Sequence, residues 1–255
     1  MDIIFSESQQ TGIIKLNRPK ALNALNLEMA KKFYDKLLEW EENNNISRVL
    51  LVGEGNHFCA GGDVKSLVLA GKKNSLKHDF FKIEYQLNYL ISQFSKEFLS
   101  VWNGVVMGGG VGLSIYGDHR LATDNSKFAM PESAIGFFPD VGGSYFLSNL
   151  PGNIGKYIGL TGEVLGLNEL IFFGLATHYF KNNKNRRIRK IFQWREYLNW
   201  KKMTTQQKIN FKRACLFPLA AYFIYTFLIE FTYPILIILF ICFLVRFMNK
   251  NKLIK

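Results

Sequence analysis

Two carboxylates, Glu132 and Asp140, lie eight residues apart around an apolar turn in the stretch 128–146. Pro131 disfavours helix at the residue before it, so we expect a strand that ends at Glu132. Asp140 precedes GGSYFLSNL, where we expect a helix to begin and its dipole to favour a negative charge. Two acids placed in this way could face one pocket, one as base or nucleophile and the other handling a proton or a hydroxyl. The structural alternative is a helix-capping Asp and a strand-end Glu at the surface.

Two glycine-rich stretches follow apolar strands elsewhere in the chain. HFCAGGDV (57–64) comes after RVLLVGEG, and VMGGGVGLS (106–114) comes after FLSVWNGVVM. Glycines between a strand and a helix let backbone N–H groups approach a ligand closely. Each loop alone is more typical of a tight turn. Together they could aim one N–H each at a single carbonyl oxygen and form an oxyanion hole.

The elements around these loops follow a strand–strand–helix rhythm. IIFSES and GIIKLNRP indicate two strands, and Asn26 is predicted to cap the helix LEMAKKFYDKLLEWEE. Further along, FLSVWNGVVM is predicted to be one strand. HRLATD and KFAMPE are predicted to be two strands that pair with each other.

A long amphipathic helix is predicted from Lys77 to Ser95, with Glu84 among apolar residues. An acid on such a helix most often lies on its solvated flank. The spacing alone therefore favours a solvent-facing position for Glu84.

Charge and cysteine content exclude several classes of function. The net charge of +12 is uneven, because residues 1–180 carry −2 and residues 181–255 carry +14. A basic balance confined to one tail gives no indication of nucleic-acid binding by the front domain. The three cysteines suit a reducing compartment and offer neither a disulfide framework nor zinc spacing. The four histidines form no HExxH motif, and GxSxG is absent from the sequence, so neither a metal site nor a serine triad is expected.

The chain resembles the crotonase (enoyl-CoA hydratase/isomerase) superfamily, and within it the 3-hydroxyisobutyryl-CoA hydrolases. This resemblance covers about the first 180 residues, with its motifs in the expected order. They are LNRPKALNALN (16–26), HFCAGGDVKSL (57–67), FFKIEY (80–85), MGGGVGLS (107–114), FAMPESAIGFFPDVGGSYFL (128–147) and LTG…GLATHYF, which ends at Phe180.

The resemblance implies an α/β fold, a crotonase-like spiral of repeated ββα units. It implies hydrolysis of a short-chain 3-hydroxyacyl-CoA thioester, 3-hydroxyisobutyryl-CoA in valine catabolism, with no metal or organic cofactor, since CoA is part of the substrate. The implied catalytic residues are Glu132 and Asp140, and the implied oxyanion hole is Gly62 and Gly109. Substrate contacts are implied for Glu84, Gly109, Glu132 and Asp140, and CoA contacts for Ala60, Gly61, Gly62 and Asp63.

Three other functions stay open beside hydrolysis. Hydratases of the superfamily carry a glutamate where this chain has Gly112 and a glycine where it has Asp140. Dienoyl-CoA isomerases pair a Glu with an Asp eight residues on, but their glycine loop resembles GGGVDL. The last alternative, from a different class, is an inactive, membrane-tethered CoA-binding protein.

The character of the chain changes after Phe180. Residues 181–213 are predicted to be a basic, low-complexity linker outside the family pattern, and residues 248–255 a basic tail. Residues 214–247 are a hydrophobic, helical candidate for a transmembrane segment, with Glu230 near its middle. The tail is either a membrane anchor or translated non-coding sequence. The family implies a mitochondrial location, although no presequence is visible, and the oligomeric state is left open.

Overall fold

The computed structural model describes residues 1–69 and 75–181, which form eight strands and seven α-helices, with two 3-10 helices at Pro19–Ala21 and Pro131–Ile135. The strands are β1 (Ile3–Ser8), β2 (Thr11–Leu16), β3 (Arg48–Gly53), β4 (Glu97–Trp102), β5 (Val105–Met107), β6 (His119–Ala122), β7 (Lys127–Ala129) and β8 (His178–Tyr179). The helices are α1 (Leu27–Glu42), α2 (Val64–Leu69), α3 (Leu76–Gln93), α4 (Gly109–Gly112), α5 (Gly143–Ser148), α6 (Ile154–Thr161) and α7 (Leu167–Phe172).

Six strands form the main sheet in the order β1-β2-β3-β4-β6-β8. β1 and β2 are an antiparallel hairpin, and every later neighbour in this sheet is parallel. The register places Ile13, Leu50 and Leu99 side by side on β2, β3 and β4. Parallel pairing needs long crossovers, and the helices α1 and α3 lie in two of them. The sheet thus confirms the predicted α/β class.

Helix α1 has the bounds predicted from the sequence. The Asn26 side chain accepts a hydrogen bond of 2.8 Å from the Met29 N–H, as an N-cap does. Its apolar face is fully buried and carries Met29, Ala30, Phe33, Leu37 and Trp40. This amphipathic spacing is what fixes the helix against the sheet.

The predicted single strand FLSVWNGVVM is wrong, because the chain breaks between Trp102 and Val105. β4 belongs to the main sheet, whereas β5 pairs with β7 in a separate two-stranded parallel sheet. Gly104 turns the chain with a φ of +60°, and a Cβ there would lie 2.2 Å from the Asn56 carbonyl oxygen. A glycine is therefore required at the point where the chain changes sheets.

The predicted pairing of HRLATD with KFAMPE is also wrong. β6 pairs with β4 and β8, while β7 pairs with β5. The two sheets meet instead through side chains: Trp102 and Phe128 pack with ring centroids 5.8 Å apart. The Trp102 indole N–H donates to Ser114 Oγ at 3.0 Å, which ties the core to the turn after α4.

The predicted linker from residue 182 onward, the hydrophobic segment 214–247 and the tail 248–255 lie outside the described residues. Within residues 1–69 and 75–181, no helix has the length and apolar character needed to cross a bilayer.

Candidate active site

One cavity of about 590 Å³ brings most of the predicted site residues together. Glu84, Glu132 and Asp140 contribute three carboxyl groups to its wall. The two glycine loops contribute Ala60, Gly61, Gly62, Gly108 and Gly109. Apolar side chains complete it, among them Leu67, Val68, Phe80, Phe81, Ile135 and Phe137.

Backbone hydrogen bonds from distant parts of the chain hold the two glycine loops. The Leu25 N–H donates to the Gly61 carbonyl at 2.8 Å, and the Asp63 N–H donates to the Leu25 carbonyl at 2.8 Å. The second loop begins at Gly108, whose N–H donates to the Ala129 carbonyl at 3.3 Å. Both loops are thus anchored from outside themselves, which restricts their movement.

Gly62 and Gly109 are brought close enough to act on one atom. A Cβ at Gly109 would lie 3.2 Å from the Gly62 nitrogen. In the described part of the chain, neither of these two N–H groups donates to an acceptor. Two neighbouring, unpaired N–H groups at a cavity wall can stabilise negative charge on one oxygen. The two glycines of the predicted oxyanion pair are therefore neighbours at the cavity wall, and their role as donors stays a prediction.

Glu84 lies on α3 and is only 2% exposed, so it does not face solvent as its spacing alone suggested. Its Oε1 is buried and has no hydrogen-bond partner in the described region. Burial raises the pKa of this carboxyl to about 8, and the charges of Asp140 and Glu132 add to the effect. Glu84 is consequently protonated over much of the neutral range.

Glu132 lies in the 3-10 helix Pro131–Ile135 and not at the end of a strand, because β7 stops at Ala129. The proline begins a helical turn here instead of ending one, which is its favoured position. The side chain is 8% exposed, and Oε2 has no partner among the described residues. Burial, with a contribution from the charge of Asp140, raises the pKa of Glu132 to about 7. This value suits a general base near neutral pH.

Asp140 is not a helix cap, since α5 begins at Gly143 and its N-cap is Gly142. Its side chain accepts a hydrogen bond of 2.8 Å from the Tyr85 hydroxyl, while its carbonyl accepts one from the Gly143 N–H. Burial raises the pKa of Asp140, and the Tyr85 hydrogen bond opposes that rise by stabilising the charged form.

Asp63, predicted to contact CoA, is absent from the lining of the cavity. Its carboxylate forms a salt bridge of 2.9 Å with Arg18 and accepts a hydrogen bond of 3.1 Å from the Ser66 N–H. It therefore has a structural role, joining the loop to the N-terminal segment and capping α2. The other three residues predicted to contact CoA, Ala60, Gly61 and Gly62, do line the cavity.

Gly112, the position of the hydratase glutamate, is packed closely. A Cβ there would lie 2.6 Å from Val141 Cβ and 2.9 Å from Asn88 Oδ1. No side chain fits at this position unless its neighbours move. The packing of Val141 and Asn88 against Gly112 thus leaves no room for a glutamate at position 112.

Sequence reasoning missed two tyrosines that support the site. Tyr85 was counted only among the apolar neighbours of Glu84, yet its hydroxyl reaches Asp140. Tyr116 lies after α4, and its hydroxyl donates to the Val141 carbonyl at 2.8 Å. The available indication was the place of Tyr85, directly after Glu84 on a helix. No pattern in the sequence pointed to Tyr116.

A second cavity of about 540 Å³ adjoins the first at Asp140, which lines both. Its wall comes from α3 and from the turn that follows Phe137. It includes Tyr85, Asn88, Tyr89, Ser92, Tyr116 and residues 138–144.

Among the described residues, no group of three or more His, Cys, Asp or Glu side chains could hold a metal ion.

Known proteins resemble this chain over most of its length. The family described as enoyl-CoA hydratase/isomerase matches residues 11–212, so the similarity continues beyond Phe180, where the sequence motifs ended. A carnitinyl-CoA dehydratase from Mycobacterium thermoresistibile has a similar structure. Its TM-score is 0.69 and its identity 40%, over 71% of this chain and 54% of the other.

Relatives of known sequence are named either as 3-hydroxyisobutyryl-CoA hydrolases or as a ribosomal protein. The 3-hydroxyisobutyryl-CoA hydrolase 1 of Arabidopsis thaliana is 46% identical over 71% of this chain and 49% of its own. The mitochondrial 3-hydroxyisobutyryl-CoA hydrolase of Xenopus tropicalis is 46% identical over 72% of this chain and 48% of its own. The small ribosomal subunit protein mS47 of Neurospora crassa is 43% identical over 71% of this chain and 37% of its own.

The chain spans about half the length of the hydrolases that it matches. The family match, residues 11–212, includes both glycine loops and the three carboxyl groups of the cavity. The family match extends over well over half of the sequence. This chain belongs to the enoyl-CoA hydratase/isomerase family.

Proposed function

We propose that the chain hydrolyses the thioester of a short-chain 3-hydroxyacyl-CoA, with 3-hydroxyisobutyryl-CoA as the substrate and 3-hydroxyisobutyrate and CoA as the products. The observation that carries this proposal is that Gly62, Gly109 and three carboxyl groups line the same cavity, and that the two glycine N–H groups bond no acceptor among the described residues. Relatives named 3-hydroxyisobutyryl-CoA hydrolase, 46% identical to this chain, support the choice of substrate.

The thioester oxygen would lie between the N–H groups of Gly62 and Gly109. As the carbonyl carbon becomes tetrahedral, these donors would stabilise the charge on oxygen, by about 2.7–4 kcal/mol for each donor in comparable sites. The C–S bond then breaks, and the CoA sulfur leaves as a thiolate that takes up a proton.

Glu132 would supply the attack on the carbonyl carbon. In one route its carboxylate adds directly and forms an anhydride that water then cleaves. In the other it takes a proton from a water molecule, whose oxygen forms the new bond. Its Oε1 lies beside Gly108, and both residues line the cavity in which either route would run.

Asp140 would orient the attacking water or bind the 3-hydroxyl of the acyl group. Glu84, protonated near neutral pH, could donate a hydrogen bond to the substrate beside the oxyanion pair. The acids and amides supply all the groups that this chemistry uses, so we propose that no metal or organic cofactor takes part.

Hydration of an enoyl-CoA is the less suitable reaction for this site. It needs a second catalytic glutamate at position 112, and Val141 and Asn88 fill the space around Gly112. Dienoyl-CoA isomerisation uses a Glu and an Asp eight residues apart, as this chain has, but the hydrolase names of the relatives support hydrolysis.

A mitochondrial location is proposed because the Xenopus relative is named as mitochondrial. Membrane association through residues 214–247 remains a prediction, since that segment lies outside the described residues.

A non-catalytic role is the second candidate function. It is favoured by a relative of similar identity that is named as a ribosomal protein. The presence of Glu132 and Asp140 in one cavity argues for catalysis.

The test is release of CoA from purified full-length protein. A thiol reagent would follow hydrolysis of 3-hydroxyisobutyryl-CoA, with acetyl-CoA as the substrate that lacks a 3-hydroxyl. We expect turnover with the hydroxyacyl thioester and much slower turnover with acetyl-CoA. A folded protein that binds CoA but does not hydrolyse 3-hydroxyisobutyryl-CoA would instead support the non-catalytic role.

A further inference from the structure

Asp140 lies in an unusual turn between the two cavities. The next residue, Val141, has a φ of +44°, a left-handed conformation that a β-branched side chain rarely adopts. Such strain persists only where the surrounding structure imposes it. Contacts from neighbouring elements must therefore hold the turn that contains Asp140.

Tyr85 contacts the Asp140 side chain directly. Its hydroxyl donates to Asp140 Oδ2 at 2.8 Å from helix α3, 55 residues away in sequence. The ring of Tyr85 packs against Phe81 with centroids 5.9 Å apart, and Phe81 stacks on Phe137 at 6.2 Å. Aromatic packing thus holds the Tyr85 ring in the position from which its hydroxyl donates to Asp140.

Tyr116 holds the backbone on the other side of the turn. Its hydroxyl donates to the Val141 carbonyl at 2.8 Å. A Cβ on Gly142 would lie 1.7 Å from that same hydroxyl, so a glycine is needed for the tyrosine to reach the turn. One phenol therefore binds the side chain of Asp140 and the other binds the peptide that follows it.

We propose that Tyr85 and Tyr116 are positioning residues, Tyr85 for the Asp140 side chain and Tyr116 for the backbone that follows it, at the boundary between the two cavities. Neither tyrosine reacts with the substrate. Their role is to fix the acid that orients water or binds the 3-hydroxyl, so the inference rests on the proposed function.

Asp140 shares its surroundings with other titratable groups. Glu84 and Tyr85 face it from α3, Glu132 faces it from the 3-10 helix, and Lys77 lines the same cavity. With two carboxyls nearby, Asp140 keeps its charge more easily when a hydroxyl donates to it. Removal of the Tyr85 hydroxyl should accordingly raise the pKa of Asp140.

The experiment compares Tyr85→Phe and Tyr116→Phe with Tyr89→Phe in the full-length protein. Tyr89 lies one turn further along α3, is 69% exposed, and has a hydroxyl that bonds no described residue. Steady-state kinetics with 3-hydroxyisobutyryl-CoA would be measured from pH 5 to pH 9. In parallel, carbon-13 NMR of labelled aspartate would titrate Asp140, assigned by comparison with Asp140→Asn.

We expect Tyr85→Phe to lower kcat about tenfold or more, to change KM little, and to move the titration of the Asp140 resonance to higher pH. Tyr116→Phe should lower kcat in the same direction, and Tyr89→Phe should resemble the parent. An Asp140 titration that is the same in Tyr85→Phe and the parent would overturn the proposal. If the parent protein lacks hydrolase activity, the proposed function fails, and the NMR titration still decides whether Tyr85 stabilises the carboxylate.

Discussion

The carboxyl oxygen Oε1 of Glu84 occupies the space beside Gly109 where a side chain would begin. A Cβ at Gly109 would lie 2.3 Å from that oxygen, and a Cβ at Gly108 would lie 2.7 Å from Glu132 Oε1. Two successive glycines thus leave room for two buried acids. The glycine loop supplies both an N–H group and the space that the acids need.

Gly109→Ala tests this double role. The new methyl group would push Glu84 aside and lie 3.2 Å from the Gly62 nitrogen, where the thioester oxygen is expected. We expect kcat/KM to fall about 100-fold or more, as when an oxyanion-hole donor is lost. Release of CoA from 3-hydroxyisobutyryl-CoA is the measurement.

Gly166→Ala is the matched control for that substitution. Its Cβ would meet only the Glu169 carboxylate, at 3.2 Å, and neither Gly166 nor any residue of α7 lines the cavity. Activity close to the parent in both variants would show that the contact between Gly109 and Glu84 does not matter for the reaction.

Glu132→Gln and Asp140→Asn each remove one acid without changing the size of the side chain. We expect each variant to lower kcat by about 10²–10⁴-fold, because proton transfer or nucleophilic attack is lost. Binding of CoA, measured by calorimetry, should change little, since the predicted nucleotide contacts lie in the other loop. Parental turnover in either variant would remove that acid from the mechanism.

The raised pKa values predict the pH dependence of activity. Glu132 acts when ionised, and burial places its pKa at about 7, so kcat/KM should rise with pH and level off above neutrality. A profile already flat at pH 5 would contradict an active Glu132 with a raised pKa.

The same groups predict the pH dependence of stability. The folded state holds protons on Glu84 and Glu132 up to about pH 8 and pH 7, whereas the unfolded chain releases them near pH 4.5. Stability from this source is fully present below about pH 4.5 and is lost as the pH rises through about 7 and 8. The melting temperature should therefore fall over this range. The double variant Glu84→Gln, Glu132→Gln should show a flatter curve.

Gly112→Glu tests why the chain is not a hydratase. The added side chain would overlap Val141 and Asn88, and overpacking of this kind costs about 1–3 kcal/mol. We expect a lower melting temperature, loss of thioester hydrolysis and negligible hydration of crotonyl-CoA. A gain of hydratase activity without loss of stability would show that the packing around Gly112 is no barrier. Gly112→Ala adds a smaller side chain at the same position, so its melting temperature should lie between those of the parent and Gly112→Glu.

Local patterns in the sequence predicted local structure well. The cap at Asn26 and the apolar spacing of α1 sufficed for the bounds of that helix. The hairpin of β1 and β2 and the long helix α3 also followed from periodicity. These elements depend on neighbours a few residues away, and such neighbours are visible in the sequence.

Features that depend on distant contacts were not predictable in this way. At the turn between β4 and β5, Gly104 packs against the backbone of Asn56, which is 48 residues earlier in the chain. Asp63 bonds Arg18, 45 residues earlier, and Tyr85 bonds Asp140 from another element. Each of these contacts joins side chains that only the folded chain brings together.

The parallel order of the main sheet has a consequence for synthesis of the protein. The site needs Gly62, Glu84, Gly109 and Asp140 together, and they come from three successive crossovers of the main sheet. Sheets built from such distant strands fold slowly. At translation rates of about 5–20 residues per second, roughly 4–16 s separate the synthesis of Gly62 from that of Asp140. During that interval the nascent chain holds an open glycine loop and an unfinished apolar sheet, so it is expected to depend on chaperones until the last carboxylate has emerged.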